Sequence, residues 1–214
     1  MSTRRWSGIA GILFVACAIA SVAVHGSFPD TLKANALTKI ASFYADRSHD
    51  SHAVLAVVLG FIGLFFFTWF LGGLWSTLRD AEGTTSAPTV ILAVGGAAFF
   101  ALAAGAHMFN NVTGISAHFD KAYHQPDPKI ALTMLDLGTG AILASAMAAG
   151  TMTLAALVLI RRTRALPIWI AWLGLAVTVL ALPVVPPLAR LSGLVLAVWT
   201  VAISVVFVTS EAAA

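Results

Sequence analysis

The sequence predicts an all-α fold: a polytopic transmembrane bundle of six helices in one integral membrane domain covering residues 1–214, with N and C termini cytoplasmic and a short amphipathic extracytoplasmic helix in the first loop. Three observations predict it. Hydrophobic residues make up 59% of the chain and charged residues 10%, against about 45 to 50% and roughly 25% in soluble domains, and the mean hydropathy is +0.93. The apolar residues run on continuously instead of alternating, which excludes a closed barrel and leaves helices as the way to satisfy backbone groups in lipid. Lysine and arginine are dense in short segments on one side of the expected topology and dilute on the other.

Uncharged runs long enough to cross about 30 Å of hydrocarbon extend from Trp6 to Val24, His52 to Leu78, Thr89 to Phe109, Leu137 to Ile160, Ile168 to Val185 and Leu191 to Thr209. The first also fits a secretory signal, since Arg4 and Arg5 precede it and Ser21, Val22 and Ala23 offer a small-residue cleavage site. The expectation is a retained span. Arg4, Arg5, Arg79, Arg161, Arg162 and Arg164 fall on the short-loop side, while Lys33, Lys39, Arg47, Lys121, Lys129 and Arg190 are spread over longer loops. Short basic loops face the cytoplasm, which places both termini there and puts Trp6, Trp75, Trp169 and Trp172 near that interface.

The first long loop, Gly26 to Ser51, opens a helix signal at Pro29 and Asp30, then repeats Leu32, Ala36, Leu37, Ile40 and Tyr44 at helical spacing. An amphipathic helix lying on the membrane or capping the bundle is expected. The second, Asn110 to about Gln125, shows little periodicity until Asp127 and Pro128, which suit the N-cap and first position of a helix starting outside the membrane. A Pro-rich turn at Pro183, Pro186 and Pro187 joins the last two spans, where Arg190 reads as a snorkelling anchor. Small residues recur every four positions at Ala93, Ala97, Ala101 and Gly105, and at Ala141, Ser145, Ala149 and Thr153. These stripes predict that the third and fourth spans pack together, with self-association into a homo-oligomer as the alternative.

Several classes are excluded. Cys17 is the only thiol, so neither a disulfide scaffold nor a Cys-rich metal site is available. The cations are scattered rather than clustered with aromatics, which gives no nucleic-acid signature. Asn111, Val112 and Thr113 match a glycosylation acceptor by accident of composition, no serine has His and Asp partners in sequence, and no inverted repeat of the transporter kind is present.

The candidate chemistry lies in polar residues at the outer ends of the spans. All six histidines, His25, His49, His52, His107, His118 and His124, fall on the extracytoplasmic side. An ionisable group at membrane depth costs about 2.5 to 3.5 kcal/mol unless paired or wetted, and so marks a functional candidate. His52, above Ala56 and Gly60, and Asp136, above Gly140, are expected to point at neighbouring helices; His107 stands above Ala103 and Ala104 with Asn110 a turn further out. The expectation is that His52, His107 and Asp136, joined by His49 and Asp50, converge in a pocket that binds a divalent metal or a haem iron, or else form a structural hydrogen-bond network. In the catalytic version His107 and Asp136 act as acid and base.

The opening Arg5 and Trp6, the stretch Ile40 to Asp46, the aromatic run Leu64 to Leu71, Leu135 to Gly138, and Arg164 to Trp169 leading to Trp172 and Gly174 together resemble a widespread group of uncharacterised bacterial six-helix integral membrane proteins, a domain of unknown function. The resemblance implies a bundle in the cytoplasmic (inner) membrane and no reaction; Asp136 is its one polar matching position. Three functions compete: binding of a lipophilic small molecule or a partner membrane subunit, a membrane enzyme acting on an apolar substrate through the His/Asp site, and a small-solute transporter.

Overall fold

The computed structural model describes residues 2–26, 35–46, 48–119, 126–182 and 186–210, without side chains at 48, 49 and 186–190. These residues form seven helices and no strand: α1 (Thr3–His25), α2 (Ala36–Ala45), α3 (Ser48–Glu82), α4 (Ala87–Phe119), α5 (Pro128–Thr163), α6 (Ile168–Leu180) and α7 (Pro186–Thr209). Five of them, α1, α3, α4, α5 and α7, are long and apolar enough to cross a membrane. With 13 residues at about 1.5 Å each, α6 covers about 20 Å, short of the hydrocarbon thickness. The apolar run starting at Ile168 thus yields a shorter helix than expected. Leu182 precedes a proline, and that residue is biased away from helical geometry; residues 183–185 lie outside the described set.

The six larger helices form a closed ring in chain order, α1 on α3, α3 on α4, α4 on α5, α5 on α6, α6 on α7, and α7 back on α1. Neighbours run antiparallel, since Ser7 meets Gly73 while Ser21 hydroxyl donates to the Ala56 carbonyl across 2.7 Å. At the far side of the ring Gly8 lies against Ser204 and Phe207, so the first and last helices close it with both termini at one end.

That end is the tightly packed one. Phe67 and Phe70 of α3 and Trp199 and Phe207 of α7 are fully buried there and in the middle of the bundle, with Trp199 edge-on to Phe70 at 6.3 Å. Indole N–H must find a partner when buried, and Trp199 Nε1 donates to the Ile170 carbonyl at 3.1 Å, tying α7 to α6. Thr178 ties α6 to α5 by donating to the Gly150 carbonyl at 3.0 Å. Arg79 stacks on Trp75, Arg161 on Trp172 and Arg4 on Phe207, with the guanidinium carbons 5.0 to 5.9 Å from the rings.

Beside this, Glu82 accepts from Ser86 and Thr89 hydroxyls at 2.6 and 2.7 Å, closing the α3–α4 turn, and lies 3.9 Å from Arg162.

At the other end α3, α4 and α5 outrun a bilayer: 33 to 36 residues each make about 50 Å of helix. The expected start of α5 is observed, with Asp127 as N-cap accepting from Lys129 N–H at 2.8 Å and Pro128 in the first turn. The expected helix of the first loop is also observed as α2, but of its predicted face only Ala36, Ile40 and Tyr44, spaced four apart, are buried, while Leu37, a step round the helix, is exposed. This helix caps the bundle, because Ile40 and Tyr44 share a small core with Ala131 and Leu135 of α5. Pro29, Asp30 and Leu32 lie outside the described residues.

Two expectations about α4 are corrected. Its helix continues through Asn110 to Phe119 instead of giving way to irregular loop, burying Asn111, Thr113 and Gly114, small polar residues that carry no apolar period for a sequence pattern to reveal. Spans three and four do pack together, but it is Gly95 of α4 that meets α5, at Met152, and of the predicted alanine stripe Ala97 and Ala101 are exposed. Gly95 allows the approach, since a Cβ there would sit 3.0 Å from the Met152 backbone nitrogen. On α5 the predicted positions Ser145, Ala149 and Thr153 are buried.

Candidate functional site

Above the tight end, α1 and α7 part, and a cavity of about 620 Å³ opens among α1, α3, α4, α5 and α7. Its floor is aromatic and aliphatic: Phe14, Leu64 and Phe99, with Phe14 and Phe99 in edge contact at 6.5 Å. Antiparallel pairing of the helices sets the polar groups at the opposite end, where His107 and Asn110 of α4 face inward; Ser145 of α5 lies on the wall between. Every other described residue of the lining is carbon-walled or glycine, and none of them carries a formal charge.

The local chain explains this arrangement. His107 and Asn110 are three apart, hence neighbours on one helix face. The His107 ring lies flat in the notch left by Gly60 of α3, where a Cβ would come within 2.8 Å of Cε1. The Asn110 amide occupies the equivalent notch over Gly138 of α5, where any Cβ would overlap it. Two glycines thus seat the two polar side chains, one on each wall. Asn111 points elsewhere and donates from Nδ2 to the His107 carbonyl at 2.8 Å. Ser145 Oγ donates to the Ile142 carbonyl at 2.8 Å, which leaves its lone pairs free to accept. Neither ring nitrogen of His107 has a hydrogen-bond partner among the described residues, so the imidazole presents its donor and acceptor to the cavity.

The sequence-predicted residues are not brought together as expected. His52 and Asp136 are both exposed, the buried faces of their helices being Ala53, Ala56 and Val57 on α3 and Leu135 and Gly138 on α5. Burial turns each apolar stripe inward and its polar neighbour outward, so Asp136, beside Leu135, faces away. Asp50 is buried at the start of α3, and the His49 side chain lies outside those described. Among the described residues no group of three or more His, Cys, Asp or Glu side chains is arranged to hold a metal ion. His52, His107 and Asp136 therefore form no ligand set. His118 is exposed at the end of α4, and His124 lies outside the described residues. Of the proposed residues whose side chains are described, His107 alone lines the cavity.

Two residues of the cavity, Gly60 under the His107 ring and Ser145 on the wall, are not identified as site residues by the sequence. In the sequence Gly60 belongs to a packing face and Ser145 to a small-residue stripe; the signal that could find the first is a glycine level with a histidine set within the apolar run of a neighbouring helix. No protein-family model, curated protein or solved structure matches the chain.

Proposed function

We propose that this protein is a multi-pass protein of the cytoplasmic membrane that binds a lipophilic small molecule in the cavity beneath His107 and Asn110. The observation that carries the reading is an apolar cavity of about 620 Å³ with its few polar groups gathered at one end. A volume of roughly 300 to 1,000 Å³, mainly apolar walls and a few convergent polar groups are the marks of a small-molecule site. Polar side chains at membrane depth are costly unless something satisfies them, and a ligand's polar end does so.

The arginines support an orientation with the tightly packed end cytoplasmic. Arg4, Arg79, Arg161 and Arg162 belong to helix termini at one end of the antiparallel ring, three of them stacked on aromatic rings, the pattern of a cytoplasmic interface. On this reading α6 completes a sixth, thinner crossing, α2 and the projecting ends of α3, α4 and α5 are extracytoplasmic, and the chain is a member of the six-helix family it resembles.

The test uses Gly193, which lines the cavity on α7 and where an added Cβ meets nothing within 4 Å. Gly193→Trp fills the space without displacing a neighbour. Protein purified in nanodiscs from the expression host's own lipids is extracted and the bound lipophiles measured by mass spectrometry. A species held stoichiometrically by the wild type and lost from Gly193→Trp supports the reading; equal lipophile content in both sinks it.

A further inference from the structure

Beyond the presence of a ligand, the cavity specifies its chemical class and its route. We infer that the occupant is an uncharged single-chain amphiphile with a hydrogen-bonding oxygen at its end, a long-chain alcohol or ketone in chemistry, taken sideways from the bilayer between α1 and α7. The inference rests on the lipophile-binding reading above and adds three observations to it.

The first is the absence of charge among the described residues that line the cavity. A phosphate, carboxylate or ammonium head would be desolvated there with no counter-ion among those residues, which is costly in a low-dielectric site. The second is the pairing of His107 and Asn110. A neutral imidazole offers one donor and one acceptor, and an amide offers both, so a hydroxyl can give and take a hydrogen bond and a carbonyl can accept. A bare hydrocarbon would leave these groups unsatisfied, at the cost that makes hydrogen-bonding sites reject analogues lacking the polar group.

The third is the geometry of the α1–α7 seam. Gly8 and Gly11 of α1 are filled by Ser204, Phe207 and Phe70, which closes the seam at the tight end. Toward the other end Ile19, Val22 and Leu194 line the cavity and are at the same time 63%, 68% and 67% exposed. Side chains that face both the cavity and the outside mark an opening. It lies on apolar, membrane-spanning stretches of both helices, so it opens to lipid tails rather than to water. From Phe14 at the floor to Ala23 at the rim, α1 rises about 14 Å, a depth for one extended chain, with the polar head held level with His107.

The test compares three photoactivatable diazirine probes of equal chain length in nanodiscs: the alcohol, its phosphate monoester and the headless alkane. Cross-linked peptides are mapped by mass spectrometry. The alcohol should label α1 and α7 peptides about tenfold more than either other probe, the equivalent of one hydrogen bond gained or one charge refused. His107→Phe and Asn110→Ala should each bring alcohol labelling down to the alkane's while leaving the alkane's unchanged, which shows that the cavity persists. Equal labelling by the phosphate monoester, or alcohol labelling unaffected in both variants, would overturn the assignment of class. Alcohol labelling confined to peptides away from α1 and α7 would overturn the route. Labelling by none of the three would overturn the lipophile-binding reading itself.

Discussion

The two ends of the α1–α7 seam are built from the same kind of residue and do opposite things. Gly11 of α1 is met at once by the Ser204 hydroxyl and the Phe70 ring, and Gly8 by the Ser204 backbone and Phe207. Gly193 of α7, further along the same seam, is met by nothing within 4 Å. A small residue in a membrane helix permits close approach, but it becomes a joint only where a partner fills the notch. Where none does, it becomes part of an opening. The tight end adds a hydrogen bond that cannot slide, from Trp199 Nε1 to the Ile170 carbonyl, while the open end keeps its polar groups for the cavity.

The sharpest way to break this contrast is to place the same bulky residue at both glycines. Gly11→Trp should abolish the folded bundle, because indole cannot share the space of Phe70 and Ser204; Gly193→Trp should leave unfolding in mild detergent within about 0.5 kcal/mol of wild type, as for substitutions that disturb no contact. Equal damage at the two positions would dissolve the distinction. Next in size is Trp199→Ala, which empties a fully buried site and orphans the Ile170 carbonyl; a loss of about 3 to 5 kcal/mol is expected, read by reversible unfolding followed through the remaining tryptophans.

Smaller effects sharpen the comparison. Gly60→Ala pushes a methyl against the His107 ring at 2.8 to 3.0 Å, and the displaced ring should cost about 1 to 3 kcal/mol and lower uptake of an alcohol probe more than that of an alkane. A loss of stability with unchanged probe preference would mean that the ring does not act as the head-group contact. The smallest change is Thr178→Val, which removes the α6–α5 hydrogen bond to the Gly150 carbonyl. Such bonds in membrane bundles are worth about 0.6 kcal/mol, and the cavity, on the other side of α5, should bind as before.

Much of the fold was legible because its causes are local. Asp127 followed by Pro128 announces a helix start by capping chemistry, and it is observed there; periodicity announces α2, whose buried face keeps Ala36, Ile40 and Tyr44 but not Leu37. The rotation of α4 was not legible. Its alanine stripe and its glycine face are equally small, and which one meets α5 depends on where Met152 lies across the interface. The site divides the same way: a histidine on an apolar helix is visible in the string, but that it lies on Gly60, and that Asp136 and His52 turn outward, depends on helix rotations set by packing as a whole.

The sequence by itself determined the solvent, the helical class and the apolar runs, since backbone hydrogen bonding in hydrocarbon leaves a chain with long uncharged runs no other regular structure. The tertiary structure decided which polar residues share a space. Small side chains carry almost no directional information, so any of several helix faces could have been buried; the choice fell to the fit of Phe70, Trp199 and Phe207 into the notches of their neighbours. That fit closed one end of the seam and left, at the other, a cavity under His107.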